Sequence, residues 1–198
     1  MRLRKPDWLA ELQGVVALAL LVLVGTIAFH LVGLLRGGPV VARVPAEALP
    51  DVGGATAGLR SGAVLGGDVE VRVADPTPGE LVAYQLTGLP ALLVGGAVLA
   101  LLWFALRRAR REDPFSAATV RRLRSIGWVG LGGGLLAQVA QVVASFELTA
   151  RVTADGVATT TVDLTRTGLL LLLGFGFFAT AEIVRRGVAM RAELETVI

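Results

Sequence analysis

Among 198 residues the chain has no cysteine, one histidine, one lysine and one tyrosine, and only 18% of it is charged. Without cysteine there can be neither a disulfide nor a thiolate metal site. The single imidazole, His30, cannot hold zinc without several carboxylates beside it, so no metal or cofactor is expected. A nucleophile–base pair is equally hard to assemble, because the one histidine lies far from the serines, threonines and aspartates. The adjacent carboxylates Glu112 and Asp113 sit among arginines, where salt pairing is simpler than acid–base work. No catalytic residues are expected, and the chain reads as a non-enzyme.

What is abundant is apolar: 54% of the residues are hydrophobic and the mean hydropathy is +0.70. Four apolar runs cover residues 14–35, 86–106, 126–146 and 167–184. A bilayer crossing takes about 20 such residues, so the expected fold class is an all-α integral membrane protein with a four-transmembrane-helix bundle. The first run is longer than the core of a cleaved signal peptide and reads as a retained helix.

Between the second and third runs lies residues 107–125, with seven arginines and two acids. Hydrocarbon excludes such a cluster, and short basic segments stay on the cytoplasmic side. That orientation places residues 1–13, 107–125 and 185–198 inside and residues 36–85 and 147–166 outside, with both termini cytoplasmic. Counting Glu182 with the inner face, that face carries thirteen basic and seven acidic residues, and the outer segments six basic and nine acidic. The basic balance therefore reflects membrane orientation, and direct nucleic-acid binding is not implied. Trp8, Trp103 and Trp128 all fall at the expected inner boundary, where interfacial aromatics concentrate. The localisation expected is a bacterial cytoplasmic membrane.

The outer segments have strand character. Residues 39–45 form a β-branched run between prolines, and residues 68–76 alternate, with Val69, Val71 and Val73 on one face and Glu70 and Arg72 on the other. Asp155-Gly156 lies between two β-rich arms, 148–154 and 157–164, which predicts a hairpin. The expectation is that this hairpin joins the first-loop strands in a small extracytoplasmic β-rich region. Pro90 is placed in the first turn of the second span, where its missing N–H costs little. Ser116 is a candidate helix cap after Pro114, and Val120 and Leu123 share one face of the helix it starts. Gly130 and Gly134 form a small-residue pair suited to close helix approach, and a homo-oligomer is one use of such a face.

Three sets of residues are candidates for function. On the expected inner face Pro114, Phe115, Arg121, Arg122, Arg124, Glu182, Arg185 and Arg186 could meet anionic lipid headgroups or a cytosolic protein. Glu182 has two readings, a local ion pair with Arg185 and Arg186 or a bridge to the central arginines. Within the spans His30, Gln138 and Gln141 could line a polar path, which would suit a small transporter or channel subunit. Interhelical hydrogen bonding is the plainer use of such residues. Third, the outer loops could bind a ligand and bias the bundle, as a sensor does.

Two segments carry a resemblance. Residues 113–128 (DPFSAATVRRLRSIGW) and 179–198 (ATAEIVRRGVAMRAELETVI) resemble the signature stretches of an uncharacterised bacterial four-span membrane family, domain of unknown function 2975. The matching positions are Asp113-Pro114-Phe115, Arg122-Leu123-Arg124-Ser125-Ile126-Gly127, Ala181-Glu182-Ile183, Arg185-Arg186-Gly187 and Thr196-Val197. Asp113 and Val184 depart from the residues common there. The resemblance implies no catalytic residues. It does imply a gene encoded beside small helix-turn-helix regulators, and so a membrane protein whose basic inner face docks a cytosolic transcription factor.

Overall fold

The computed structural model describes residues 8–45, 67–111, 116–153 and 164–195. Its elements in chain order are helix α1 (Trp8–Leu35), strands β1 (Val40–Pro45) and β2 (Asp68–Val73), and helices α2 (Pro78–Ala109), α3 (Ala117–Val152) and α4 (Leu164–Glu195). Each helix contains a window apolar enough to cross a membrane, with mean hydropathy between 1.5 and 2.7.

The helices outrun the apolar runs that mark them. α2 has 32 residues and α3 has 36, or about 48 and 54 Å at the helical rise, against a hydrocarbon core of about 30 Å. Hydropathy marks where lipid ends; capping marks where the helix ends. At the start of α2, Thr77 accepts a bond from the Glu80 N–H while the Glu80 carboxylate takes bonds from the Thr77 N–H (2.7 Å) and hydroxyl (2.9 Å). This reciprocal cap, with Pro78 at the first helical position, begins the helix eight residues before the second apolar run. Pro90 consequently lies well inside α2 and not in its first turn, which corrects the expectation above. α1 ends at Leu35 and is closed by Gly37, whose φ of 62° suits glycine, with Gly38 N–H bonding to Gly33 O (3.1 Å) and Gly37 N–H to Leu34 O (3.3 Å). Ser116 caps α3 as expected, its hydroxyl accepting from the Thr119 N–H at 3.3 Å.

The chain forms two compact units. The first comprises residues 1–28, 91–137 and 164–198, and its described elements are helical. Small residues carry its packing. A Cβ on Gly130 would sit 3.5 Å from the Gly174 Cα, and one on Gly134 would sit 3.4 Å from the Leu170 Cβ, so the expected glycine pair does lie against α4. A Cβ on Gly174 would come within 2.6 Å of Leu131 Cγ. Trp128 meets Phe178 edge to face, with ring centroids 5.4 Å apart. Ile126 and Ala181 are buried, while Leu18, Leu21, Leu136, Leu172 and Phe175 are each more than 60% exposed. Apolar exposure on that scale is unfavourable in water and ordinary in hydrocarbon.

The second unit comprises residues 29–90 and 138–163 and contains the sheet. β1 and β2 pair antiparallel, with Val40 opposite Val73, Ala42 opposite Val71 and Val44 opposite Val69. The valine face expected for residues 68–76 is the one that packs inward. Val40, Ala42 and Val44 are buried against Ala83, Leu81 and Tyr84 of α2 and Leu148 and Val152 of α3. A two-stranded sheet alone is marginal; each fully buried valine adds roughly 1.5–3 kcal/mol here. On the other face Arg43 and Glu70 approach to 3.6 Å, too exposed to matter much.

The expected hairpin is corrected by the same core. Of its first arm, 148–154, residues 148–152 belong to the last turns of α3. Leu148 and Val152 are four apart, so a helix puts both on the valine face, and the Thr149 hydroxyl is satisfied by Ser145 O at 2.9 Å. Tertiary packing outweighs β propensity at these positions. Asp155-Gly156 and residues 157–163 lie outside the described residues, and Leu164 opens α4. Among the described residues the sheet has two strands.

Candidate functional site

The α2 C-terminus is rich in arginine because the apolar run stops at Leu106 while the helix continues to Ala109. Cations there offset the negative end of the helix dipole. Arg107, Arg110 and Arg111 line one cavity of about 280 Å³ together with Gln13 of α1. Arg110 Nη1 donates to Gln13 Oε1 at 3.1 Å, which ties the two helices at the cavity wall. The Arg107 guanidinium lies over the Trp103 ring, 5.3 Å from its centroid. Among the described residues, the charged groups of this lining are all cationic.

The other basic candidates are distributed. Arg121 and Arg124 are exposed on α3, with Val120 buried and Leu123 half-buried, as the periodicity requires. Arg122 is half-buried. Glu182 resolves to the local reading. Arg185 donates to both its carboxylate oxygens (2.6 and 2.8 Å), and Arg186 Nε adds a bond at 3.1 Å. Pro114 and Phe115 lie outside the described residues.

Of the polar residues expected within the spans, His30 lines a second cavity, about 240 Å³, in the sheet-bearing unit with Phe29, Tyr84 and Gln85 among its neighbours. Gln85 Nε2 donates to the His30 carbonyl at 3.1 Å. A carbonyl can only accept, so the amide orientation is set, and Gln85 Oε1 is buried without a partner among the described residues. Gln138 and Gln141 are half-buried on α3 and do not line this cavity. A larger apolar groove of about 680 Å³ runs along Val82, Leu86, Ala140 and Val143, with the Glu147–Arg151 pair (2.7 Å) at its polar end.

Sequence reasoning missed Gln13 and Gln85, polar residues just outside the apolar runs. It placed Arg107, Arg110 and Arg111 in the basic segment without grouping them. Their spacing of three and four residues was the available signal.

Four long apolar helices with lipid-compatible exposed faces define an integral, multi-pass membrane protein. The chain belongs to the family described as "Protein of unknown function (DUF2975)", whose model matches residues 8–198. That match extends well beyond the two signature segments and takes in all three segments between the apolar runs. No curated protein and no solved structure matches the chain.

Proposed function

We propose that this protein is a non-enzymatic membrane component whose arginine-bearing face points into the cytoplasm and docks a cytosolic partner. The observation that carries this is the exposure of Arg121 and Arg124 on α3, which make no ion pair among the described residues. Exposed, unneutralised guanidinium groups steer and hold acidic surfaces. A small helix-turn-helix regulator is the partner class that the family resemblance suggests, held through an acidic face and not through its DNA-reading helix. Charge reversal at Arg121 and Arg124, followed by recovery of partners from solubilised membranes, tests the reading. The docked protein should be lost; unchanged recovery of every partner overturns it. A reporter enzyme fused beside Ser116 should be active in the cytoplasm, and periplasmic activity would refute the orientation.

A second reading, ligand sensing through the sheet-bearing unit, is favoured by the buried, unpartnered Gln85 Oε1 beside the His30 cavity. Ligand-dependent protection of residues 36–85 from proteolysis would separate it from docking.

A further inference from the structure

The cavity formed by Gln13, Arg107, Arg110 and Arg111 is more organised than a topology signal needs to be. Arginines at a helix C-terminus offset the dipole wherever their side chains lie. That does not account for three guanidinium groups lining one space, one clamped by a glutamine and another seated on a tryptophan. Arg107 and Arg111 are like charges on one cavity and repel, and an anion between them relieves the repulsion. The Arg107 and Arg111 guanidinium groups each present a planar fork of N–H donors that matches phosphate oxygens, and the Gln13 carboxamide, having accepted from Arg110, still has its N–H donors. The volume equals about nine waters at their share of the liquid, enough for a phosphate group with part of its hydration.

The depth is informative as well. Gln13 is the last residue before the first apolar run, and Arg107 the first residue after the second. Both therefore stand at the edge of hydrocarbon, at the level of lipid phosphates.

We propose that this cavity is a binding site for a phosphate group, supplied by an anionic lipid headgroup or by a free phosphate. The site does not depend on the docking reading, which concerns the α3 arginines.

The test uses the full chain in neutral detergent, titrated with phosphatidylglycerol and read by native mass spectrometry, with a parallel titration of inorganic phosphate as competitor. Wild type should take up one lipid saturably. Arg107→Gln with Arg111→Gln should weaken it roughly 20-fold, the effect of two basic residues near an anionic group, while Arg121→Gln with Arg124→Gln should stay within about twofold. Displacement by millimolar phosphate assigns the site to a free anion; lipid uptake indifferent to phosphate assigns it to the headgroup. Should the glutamine pair misfold, Arg107→Lys with Arg111→Lys retains the charge and loses the fork, and should bind several-fold more weakly. No saturable uptake of either probe by wild type, equal loss in both glutamine pairs, or a lysine pair that binds like wild type would each overturn the proposal.

Discussion

The two units solve packing by different physics. In the all-helical unit, burial is scarce and large side chains face outward, so cohesion comes from close backbone approach at Gly127, Gly130 and Gly174. With lipid outside, apolar contact offers little net gain, and dispersion at short range has to serve. The sheet-bearing unit has a small core of the water-soluble kind, with Val40 and Val44 fully enclosed. α2 and α3 contribute to both units, so one helix packs through glycine along part of its length and against the valine core along the rest. The lesson is that glycine and valine exchange roles: glycine holds the first unit together, and valine the second.

The contrast can be broken most forcefully from the sheet side. Val44→Asp would bury an unpaired carboxylate, a cost of several kcal/mol, and should abolish the sheet. Limited proteolysis of the reconstituted protein should then cut near residues 40–73 while the helical unit stays protected; loss of both units together would mean they are not separable. From the other side, Gly174→Val forces side-chain atoms onto Leu131 and should cost about 3 kcal/mol, read as a lowered Tm in detergent with the sheet protected. Gly127→Ala is milder, since its single Cβ meets the Phe178 ring at 2.9 Å and the Gly174 carbonyl at 3.2 Å, and about 1 kcal/mol is expected. Thr77→Ala removes the α2 cap and should cost about 1 kcal/mol, seen as faster amide exchange in residues 79–81. The smallest effect sharpens the glycine argument by sign: a Cβ on Gly132 meets nothing within 4 Å, so Gly132→Ala should stabilise by roughly 0.5–1 kcal/mol. A destabilised Gly132→Ala protein would show that glycine is needed there for more than approach.

Legibility followed chemistry. The four spans, the Ser116 cap, the Gly130–Gly134 face and the pairing-ready valines of residues 68–76 were readable because each is a local pattern of period 2 or 3.6 or a short capping motif. The Thr77–Glu80 cap is equally legible as T-x-x-E, but it lies eight residues before the apolar run, outside the stretch that hydropathy marks. The hairpin arm failed for a different reason. Thr149 and Val152 favour strand by themselves, and the valine face on which Leu148 and Val152 pack makes the helix the better solution. The candidate site divides the same way. Its arginines were conspicuous, but the grouping of Arg107, Arg110 and Arg111 with a glutamine almost a hundred residues earlier was not.

The amino-acid order by itself determined that this chain must live in a bilayer, which segments cross it and where charge cannot go. Those outcomes depend on transfer free energies that each segment pays alone. Tertiary structure decided which glycines are touched, that residues 148–152 end as helix, and that Gln13 closes a cavity with three arginines. Each of these depends on a partner distant in sequence, and the energy of a contact exists only once the chain has brought both sides together.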